Sequence, residues 1–445
     1  YLAAHLALWP LWRCGLLSEA SFRELWARHL GWTVRGWTQQ EATVVFNWVA
    51  EEYVLPLVRP EVMERVRGHR ASGHRVILVE AESGVSPSPR ALVYYWHVLD
   101  GLDRLGVLGD MEARGFRNTR FTERAVASGI TARVSLDPIG TITDRPYNVH
   151  LGQDEVARIA LEHIARHPNA EVRFDTRLEA FEQSDAGVVA RVEGPEGSSE
   201  IRTAWLVGAD GARSAVRRGL GLGFEGMTWP ERFVAVNVRY PFDELAGLGN
   251  ANMLYSPSDG AVVVRITEDG LFRWTWAEES GLPEETLPER LAPRLERLGY
   301  GGVEQAEFVE YAAYRMHQRS ADRMRAGRAV ILGDAAHVTN PTGGLGLTSG
   351  VYDAFALVEP LSAVLRGAET SVLDEWAAAR LNAFESLASP AATRMKRLVY
   401  DETDQSVIDA HVVAAQDQSD PDAQRRKFSA MAGLGTGVPR HHSEL

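Results

Sequence analysis

The chain has 445 residues, 45% of them hydrophobic and 24% charged, the balance of a folded globular protein with room for two or three domains. With 47 basic residues against 60 acidic ones, the net charge of −13 excludes nucleic acid as the main partner. The single cysteine, Cys14, excludes an internal disulfide and a cysteine-based metal cluster, and fits a reducing, cytoplasmic setting.

Residues 1–58 read as all-helical. They hold Trp9, Trp12, Trp26, Trp32, Trp37 and Trp48, half of the 12 tryptophans, a composition that sets this segment apart from the rest of the chain. The opening YLAAHLALWPLWRCGLL is broken by Pro10 and Arg13, and no apolar run reaches membrane-spanning length, so no stable membrane insertion is expected. The basic start and small-residue cleavage site of a signal peptide are also missing. Tyr1, not Met, opens the sequence, as in a piece of a longer chain. A helix over 61–70 and a strand over 74–80 come next. This stretch, RPEVMERVRGHRASGHRVILV, resembles the helical cap and helix–strand step of a haloacid-dehalogenase-type phosphatase, a likeness that spans residues 1–79. That family's DxDx[TV] nucleophile motif is absent here, which argues against phosphatase chemistry.

Further along, a helix over 94–105 ends at Gly106, and strand-like character appears near 133–136. Val156, Ile159, Ala160 and Ile164 give helical spacing over 155–166. Strands are expected over 171–174, 178–182, 188–193 and 200–207, with Pro195-Glu-Gly197 marking a hairpin turn. Residues 231–317 read as a sheet with strands over 233–240, 253–255, 261–267 and 271–277, the last two joined at Asp269-Gly270. Trp274 and Trp276 share one face of their strand, where they line either an aromatic pocket or, the better supported choice, a sheet-on-helix core. Pro293 interrupts a helix expected over 287–298. His317 and His337 lack the spacing of metal ligands. Helices over 371–387 and 391–401 come after it, then from about residue 416 a polar, loosely held tail.

One stretch organises all of these elements: GRAVILGDAAHVTNPTGGLGLTSGVYDAFAL, residues 327–357. It reads as a buried strand, an acidic turn at Gly333-Asp334, a loop with Pro341, Gly343, Gly344 and Gly346, and a helix that Pro360 should kink or break. Glycines let a backbone approach a ligand with no Cβ in the way. A helix start offers free N–H groups, and Asp334 can accept hydrogen bonds from sugar-like hydroxyls.

GDAAH-x3-P-x2-G-x-G resembles the second flavin motif of the FAD-dependent aromatic hydroxylases, flavoprotein monooxygenases with the p-hydroxybenzoate hydroxylase fold. Upstream, LVGADGARSAVR over 206–217 is similar to that family's DG motif, and the two motifs occur in the family's order. The resemblance covers roughly 78–400. It implies an α/β (α+β) fold: a discontinuous FAD-binding domain (74–172, 200–230, 318–400) and substrate regions (92–150, 231–317). A helical extension (1–73) would precede these, and a C-terminal helix and tail (401–445) would complete the chain. It implies that Glu80 binds the adenosine ribose and Arg90 the pyrophosphate side. Gln153 would touch the flavin ribityl chain, and Asp210 and Arg213 would lie near the pyrophosphate and the nicotinamide nucleotide. Gly333, Asp334, Pro341, Gly343, Gly344, Leu345, Gly346, Leu347 and Thr348 would line the flavin, Thr348 standing where the family often has Asn. The implied reaction uses FAD, NADH or NADPH and O2 to hydroxylate a small aromatic, usually phenolic, substrate through a flavin C4a-hydroperoxide. A homodimer is left open.

The family also begins with a strand and a GxGxxG turn. Residues 46–60, FNWVAEEYVLPLVRP, contain no glycine there. The chain's one formal GxGxxG, Gly221-Leu-Gly223-Phe-Glu-Gly226, comes after a helix and reads as a plain turn. The fold is thus expected as Rossmann-like without its first strand and phosphate loop. Losing the loop's N–H bonds to a pyrophosphate and a helix-dipole contribution would cost about 3–6 kcal/mol, on the order of a hundred- to ten-thousand-fold in affinity. A flavin-free remnant of such an enzyme is therefore the alternative to a working monooxygenase.

Overall fold

Period-two alternation of apolar residues builds the largest element, an eight-stranded sheet. In spatial order its strands are His337–Val338, Glu307–Ala321, Phe224–Arg239, Leu271–Glu279, Ala261–Arg265, Ala251–Tyr255, Arg120–Ala125 and Thr131–Ser135. The computed structural model describes residues 74–85, 91–416 and 420–435. The chain divides into two compact units, Tyr1–Val76 and Ile77–Leu445, and nearly all of the described residues belong to the second. The helical extension, its phosphatase-like reading and Arg90 lie outside the described residues.

One face of the sheet is sealed. Val234, Val236, Val238, Trp274 and Trp276 pack there against Leu287, Leu291 and Leu295, the i, i+4, i+8 stripe of helix Leu287–Arg297. Both tryptophans are fully buried, with ring centroids 4.4 Å apart, so the pair is core. The expected strands of this region are present. The strand Phe224–Arg239, however, starts nine residues before the expected 233. Gly226 and a bulge between Thr228 and Arg232 let a sequence that reads as loop stay in the ladder. The partner strand Glu307–Ala321 has no expected counterpart, because partly exposed residues on both its faces blur the alternation.

Two smaller sheets lie apart from the large one, whose own parallel pair is Ala251–Tyr255 with Arg120–Ala125. Leu206–Gly208 pairs with Ala329–Ile331 in the register Leu206↔Ala329, Val207↔Val330, Gly208↔Ile331, and Arg325–Ala326 flanks the latter. Val76–Val79 pairs with Ala170–Arg173. Among the described residues these form two separate sheets, and Leu78 and Val207 stay 42% and 40% exposed on them. Gly221 to Gly226 runs from the end of helix Ala215–Gly219 into the long strand, so this GxGxxG is a turn.

Two expectations are corrected. The helix Leu345–Leu365 continues through Pro360 without a break, held along its length by Ala356, Leu357, Leu361 and Val364 in the core. The tail expected to be loose from 416 contains helix Pro421–Ala432, and Leu434 is fully buried. Its carbonyl accepts a hydrogen bond from the buried Arg380, adding to that guanidinium's pairing inside the core. Among the described residues no helix is long and apolar enough to cross a membrane.

Candidate functional site

The strand Ala329–Ile331 is wholly buried and delivers Leu332 into the acidic turn. Gly333 takes φ +58°, a left-handed conformation that glycine adopts without strain. A Cβ at Gly350 would come 3.1 Å from the Gly333 Cα, so two glycines let the turn press on the helix behind it. Asp353, on that helix and fully buried, gathers three partners. The Gly333 N–H donates to its Oδ2 (3.0 Å), His337 Nε2 lies 2.7 Å from Oδ2, and Arg380 Nε donates to Oδ1 (2.9 Å). Burial alone would push the Asp353 carboxyl up; His337 and Arg380 outweigh it and hold the carboxyl below its ordinary value.

The glycine loop is pinned to the large sheet. His337–Val338 pairs with Arg319 and Ser320, and Gln318 Oε1 accepts from Thr339 Oγ1 (3.0 Å) and from the Asn340 N–H (3.3 Å). Asn340 Oδ1 in turn accepts from the Thr342 N–H. At the loop's end Gly344 takes φ +62° as the helix N-cap, and no side chain caps it. The first-turn N–H groups, over Leu345, Gly346 and Leu347, therefore keep their donors for a ligand. Thr348 and Ser349 bond back to the Gly344 and Leu345 carbonyls and stiffen the turn. Tyr95 closes the other side, its hydroxyl donating to the Gly343 carbonyl (2.8 Å). Burial pushes that hydroxyl up to about 12, so it remains a donor at any physiological pH. A Cβ at Gly344 would come 3.2 Å from Tyr95 Oη, and one at Gly343 2.8 Å from Met395 Sδ, so the cradle has no room for larger residues.

The second motif is locked to the first by a residue that sequence reasoning passed over. Asp210 Oδ2 accepts from the Ala215 and Val216 N–H groups (2.6 and 3.1 Å) and Ser214 Oγ from Arg217, together capping helix Ala215–Gly219. Buried Arg217 then donates to the Ala335 carbonyl (2.7 Å) and the Ala212 carbonyl (2.8 Å), with its guanidinium 3.7 Å from the Phe224 ring centroid. Arg213 is exposed. The pattern of arginines in the DG motif gave no sign of which one would turn inward.

Gln153 opens helix Gln153–Ile164, its N–H bonded to the Ala91 carbonyl, and Ile159 of that helix shares a core with Leu345 and Tyr352. The structure thus ties the DG motif to the acidic turn through Arg217, and sets the helix that Gln153 opens in the core that Leu345 shares. Glu80 is exposed at the end of Val76–Val79 and accepts from the Glu82 N–H (3.2 Å); no described contact joins it to the loop. Asp334 and Pro341 sit at the turn and the loop start as expected, Asp334 exposed.

A family model described as FAD binding domain matches residues 70–390. The chain belongs to this family of flavoprotein monooxygenases. It is 42% identical to para-nitrophenol 4-monooxygenase of Pseudomonas sp. (strain WBC-3) over 325 residues, 72% of this chain and 80% of the relative. It is also 42% identical to 6-hydroxy-3-succinoylpyridine 3-monooxygenase of Pseudomonas putida (strain DSM 28022 / S16), over 75% of this chain and 85% of that one. Among solved structures, p-nitrophenol 4-monooxygenase of Pseudomonas putida DLL-E4 superposes with a TM-score of 0.77 at 37% identity, covering 84% of this chain and 95% of that one. The aromatic-hydroxylase reading of the two motifs therefore stands. The phosphatase likeness of the first 79 residues has no support in these relatives.

The residues present fit a flavin. The uncapped helix start, the glycines whose Cβ atoms would fill the cradle, and the Arg217 clamp that fixes both motifs form one preorganised loop.

Proposed function

We propose that this protein is an FAD-dependent monooxygenase that hydroxylates a single-ring phenolic substrate at the expense of NADH or NADPH and O2. The observation that carries this is the uncapped, glycine-lined start of helix Leu345–Leu365, tied to the DG motif through Arg217. In overall balance, substrate C–H, NAD(P)H, a proton and O2 give substrate C–OH, NAD(P)+ and water. When bound, FAD supplies the electron relay and the activation of oxygen.

The chain's own residues do the rest. The N–H groups at Leu345, Gly346 and Leu347 would face the flavin ring edge and favour negative charge there. Asp334 and Gln153 would hold the ribityl hydroxyls, Asp210, Arg213 and Arg90 the pyrophosphate side, and Glu80 the adenosine ribose. Tyr95 backs the loop and excludes water from the Gly343 carbonyl. His97, beside Tyr352 Oη at 3.0 Å, is driven down to about 4 by burial and stays neutral. The single-ring phenol is favoured because two relatives at 42% identity, matched over 80% and 85% of their length, are named for a nitrophenol and a hydroxypyridine.

Flavin content tests the reading. A purified protein with a bound oxidised-flavin spectrum, and NAD(P)H oxidation stimulated by phenols, is the expected result. A colourless protein that takes up no FAD at high concentration would reverse it and leave a fold without its chemistry.

A further inference from the structure

The two C-terminal helices run from the large sheet to the flavin helix. Helix Gln405–Gln416 lies on the end of the sheet. Its Ile408 and Val412 are fully buried in a core with Ala125, Ala132 and Val134. Ser128 Oγ donates to Asp409 Oδ1 (2.7 Å), and Gln416 Nε2 donates to the Thr131 carbonyl (2.8 Å). Helix Pro421–Ala432 leads away from it. Phe428 stands edge-on to Phe121, ring centroids 6.2 Å apart, and with Ala432 packs on Trp96 and Ile139. One carboxylate holds both helices to the sheet. Glu123, 4% exposed in strand Arg120–Ala125, has His411 Nε2 2.8 Å from Oε2 and Lys427 Nζ 3.9 Å from Oε1, and Tyr255 Oη donates to Oε2 (3.3 Å). A carboxylate so deeply buried is costly without partners. Two of these three come from the C-terminal helices, one from each, so undocking either helix exposes that cost.

The far end of the same segment is a plug. Leu434, in the short 3-10 turn Gly433–Gly435, is fully buried in the core that also holds Leu345, Tyr352 and Phe384. A Cβ at Gly433 would come 3.1 Å from Leu387 Cδ1, and one at Gly435 3.1 Å from Tyr352 Cε1. The seat is therefore cut for a leucine between two glycines. From it a chain of bonds leads to the acidic turn. The Leu434 carbonyl accepts from Arg380 Nη1, Arg380 Nε donates to Asp353 Oδ1, and Asp353 Oδ2 accepts from the Gly333 N–H. Leu345, in the same core as Leu434, is the first residue of the helix whose N–H groups stay open to a ligand. One end of the segment is thus latched to the substrate sheet at Glu123, and the other is bonded into the frame of the flavin loop.

We propose that Glu123 and Leu434 are positioning residues at the two ends of one strap, and that releasing either end loosens the acidic turn at Gly333. Both act through Arg380 and Asp353. The consequence for flavin binding rests on the monooxygenase reading, whereas the loosening itself can be read in the protein without flavin. Amide hydrogen exchange by mass spectrometry compares wild type with Glu123→Gln, Leu434→Ala and the double variant over 328–340, 421–435 and, as an internal control, 271–279. Each single variant should speed exchange about tenfold in both 421–435 and 328–340 and leave 271–279 within about twofold. The double variant should be within about twofold of the faster single one, because either change already frees the strap. His411→Gln, at a partly exposed side chain, should reproduce Glu123→Gln and takes its place if that variant does not fold. A latch variant that frees 421–435 while 328–340 exchanges at the wild-type rate, or effects that multiply in the double variant, would overturn the assignment. Titration with FAD separates this inference from the reading beneath it, with about tenfold weaker uptake expected for Glu123→Gln. If wild type takes up no FAD while the exchange pattern holds, the monooxygenase reading falls and the strap stands. If wild type holds FAD and both single variants match it in uptake and in exchange over 328–340, the strap alone falls.

Discussion

Replacing Asp353 puts the architecture of the flavin loop to the test. The carboxylate is 0% exposed and is the shared partner of the Gly333 N–H, His337 and Arg380. Asp353→Ala strands a fully buried guanidinium, a change that typically costs about 3–5 kcal/mol. For 445 residues the unfolding entropy is roughly 0.9 kcal/mol per kelvin, so the melting temperature should fall by about 3–5 °C. Arg380→Met should cost a similar amount. The double variant should lose less than the sum, by about 0.5–3 kcal/mol, because no charge is left alone. Freed from Asp353, Gly333 should also wander, and FAD affinity should fall by about tenfold, the value of one lost positioning bond. Scanning fluorimetry and titration of the apoprotein with FAD read both effects. Strictly additive losses, or a shift under about 1 °C in Asp353→Ala, would refute the claim that this carboxylate joins turn, helix and C-terminal segment.

The same carboxylate has a pH signature. Its folded pKa is depressed, so its contribution is fully present above the unfolded value of about 4 and is lost as pH falls through the folded value, which urea midpoints below about pH 5 should record. His150 and His97 are held at about 4 by burial; between about pH 6.5 and 4 the unfolded chain takes up protons that the folded one refuses, so stability should fall with falling pH across that window, and His150→Leu should flatten the slope. Gly344→Ala forces a side chain into a left-handed φ against Tyr95, which should cost about 1–2 kcal/mol and weaken FAD uptake, measured by flavin fluorescence quenching. Trp276→Ala should destabilise the protein by about 3–5 kcal/mol in urea while the substrate preference of the surviving enzyme is unchanged, since this indole is core.

Local sequence determined a good deal here. Strand, turn, glycine loop and helix over 327–357 are written in short-range terms: a run of buried aliphatics, glycines at the positive-φ positions 333 and 344, and helical spacing afterwards. The DG motif and the hairpins at 195–197 and 269–270 are equally local, and they were legible for the same reason. What needed the tertiary structure were the residues whose meaning depends on a distant partner. Arg217 and Arg213 look alike in the sequence; only the arrival of the Ala335 carbonyl, 118 positions away, decides which one is buried. Asp353 is an acid in an apolar helix until His337 and Arg380 close on it. The strand Glu307–Ala321 hides because its burial on each face comes from different neighbours, and the C-terminal segment looks loose because distant partners fix it: Arg380 holds the Leu434 carbonyl, and Phe428 packs edge-on to Phe121. Glu123 had no local signal at all: its partners His411 and Lys427 arrive from the far end of the chain. Backbone geometry is set by neighbours in the chain, whereas burial and the pairing of charges are set by neighbours in space.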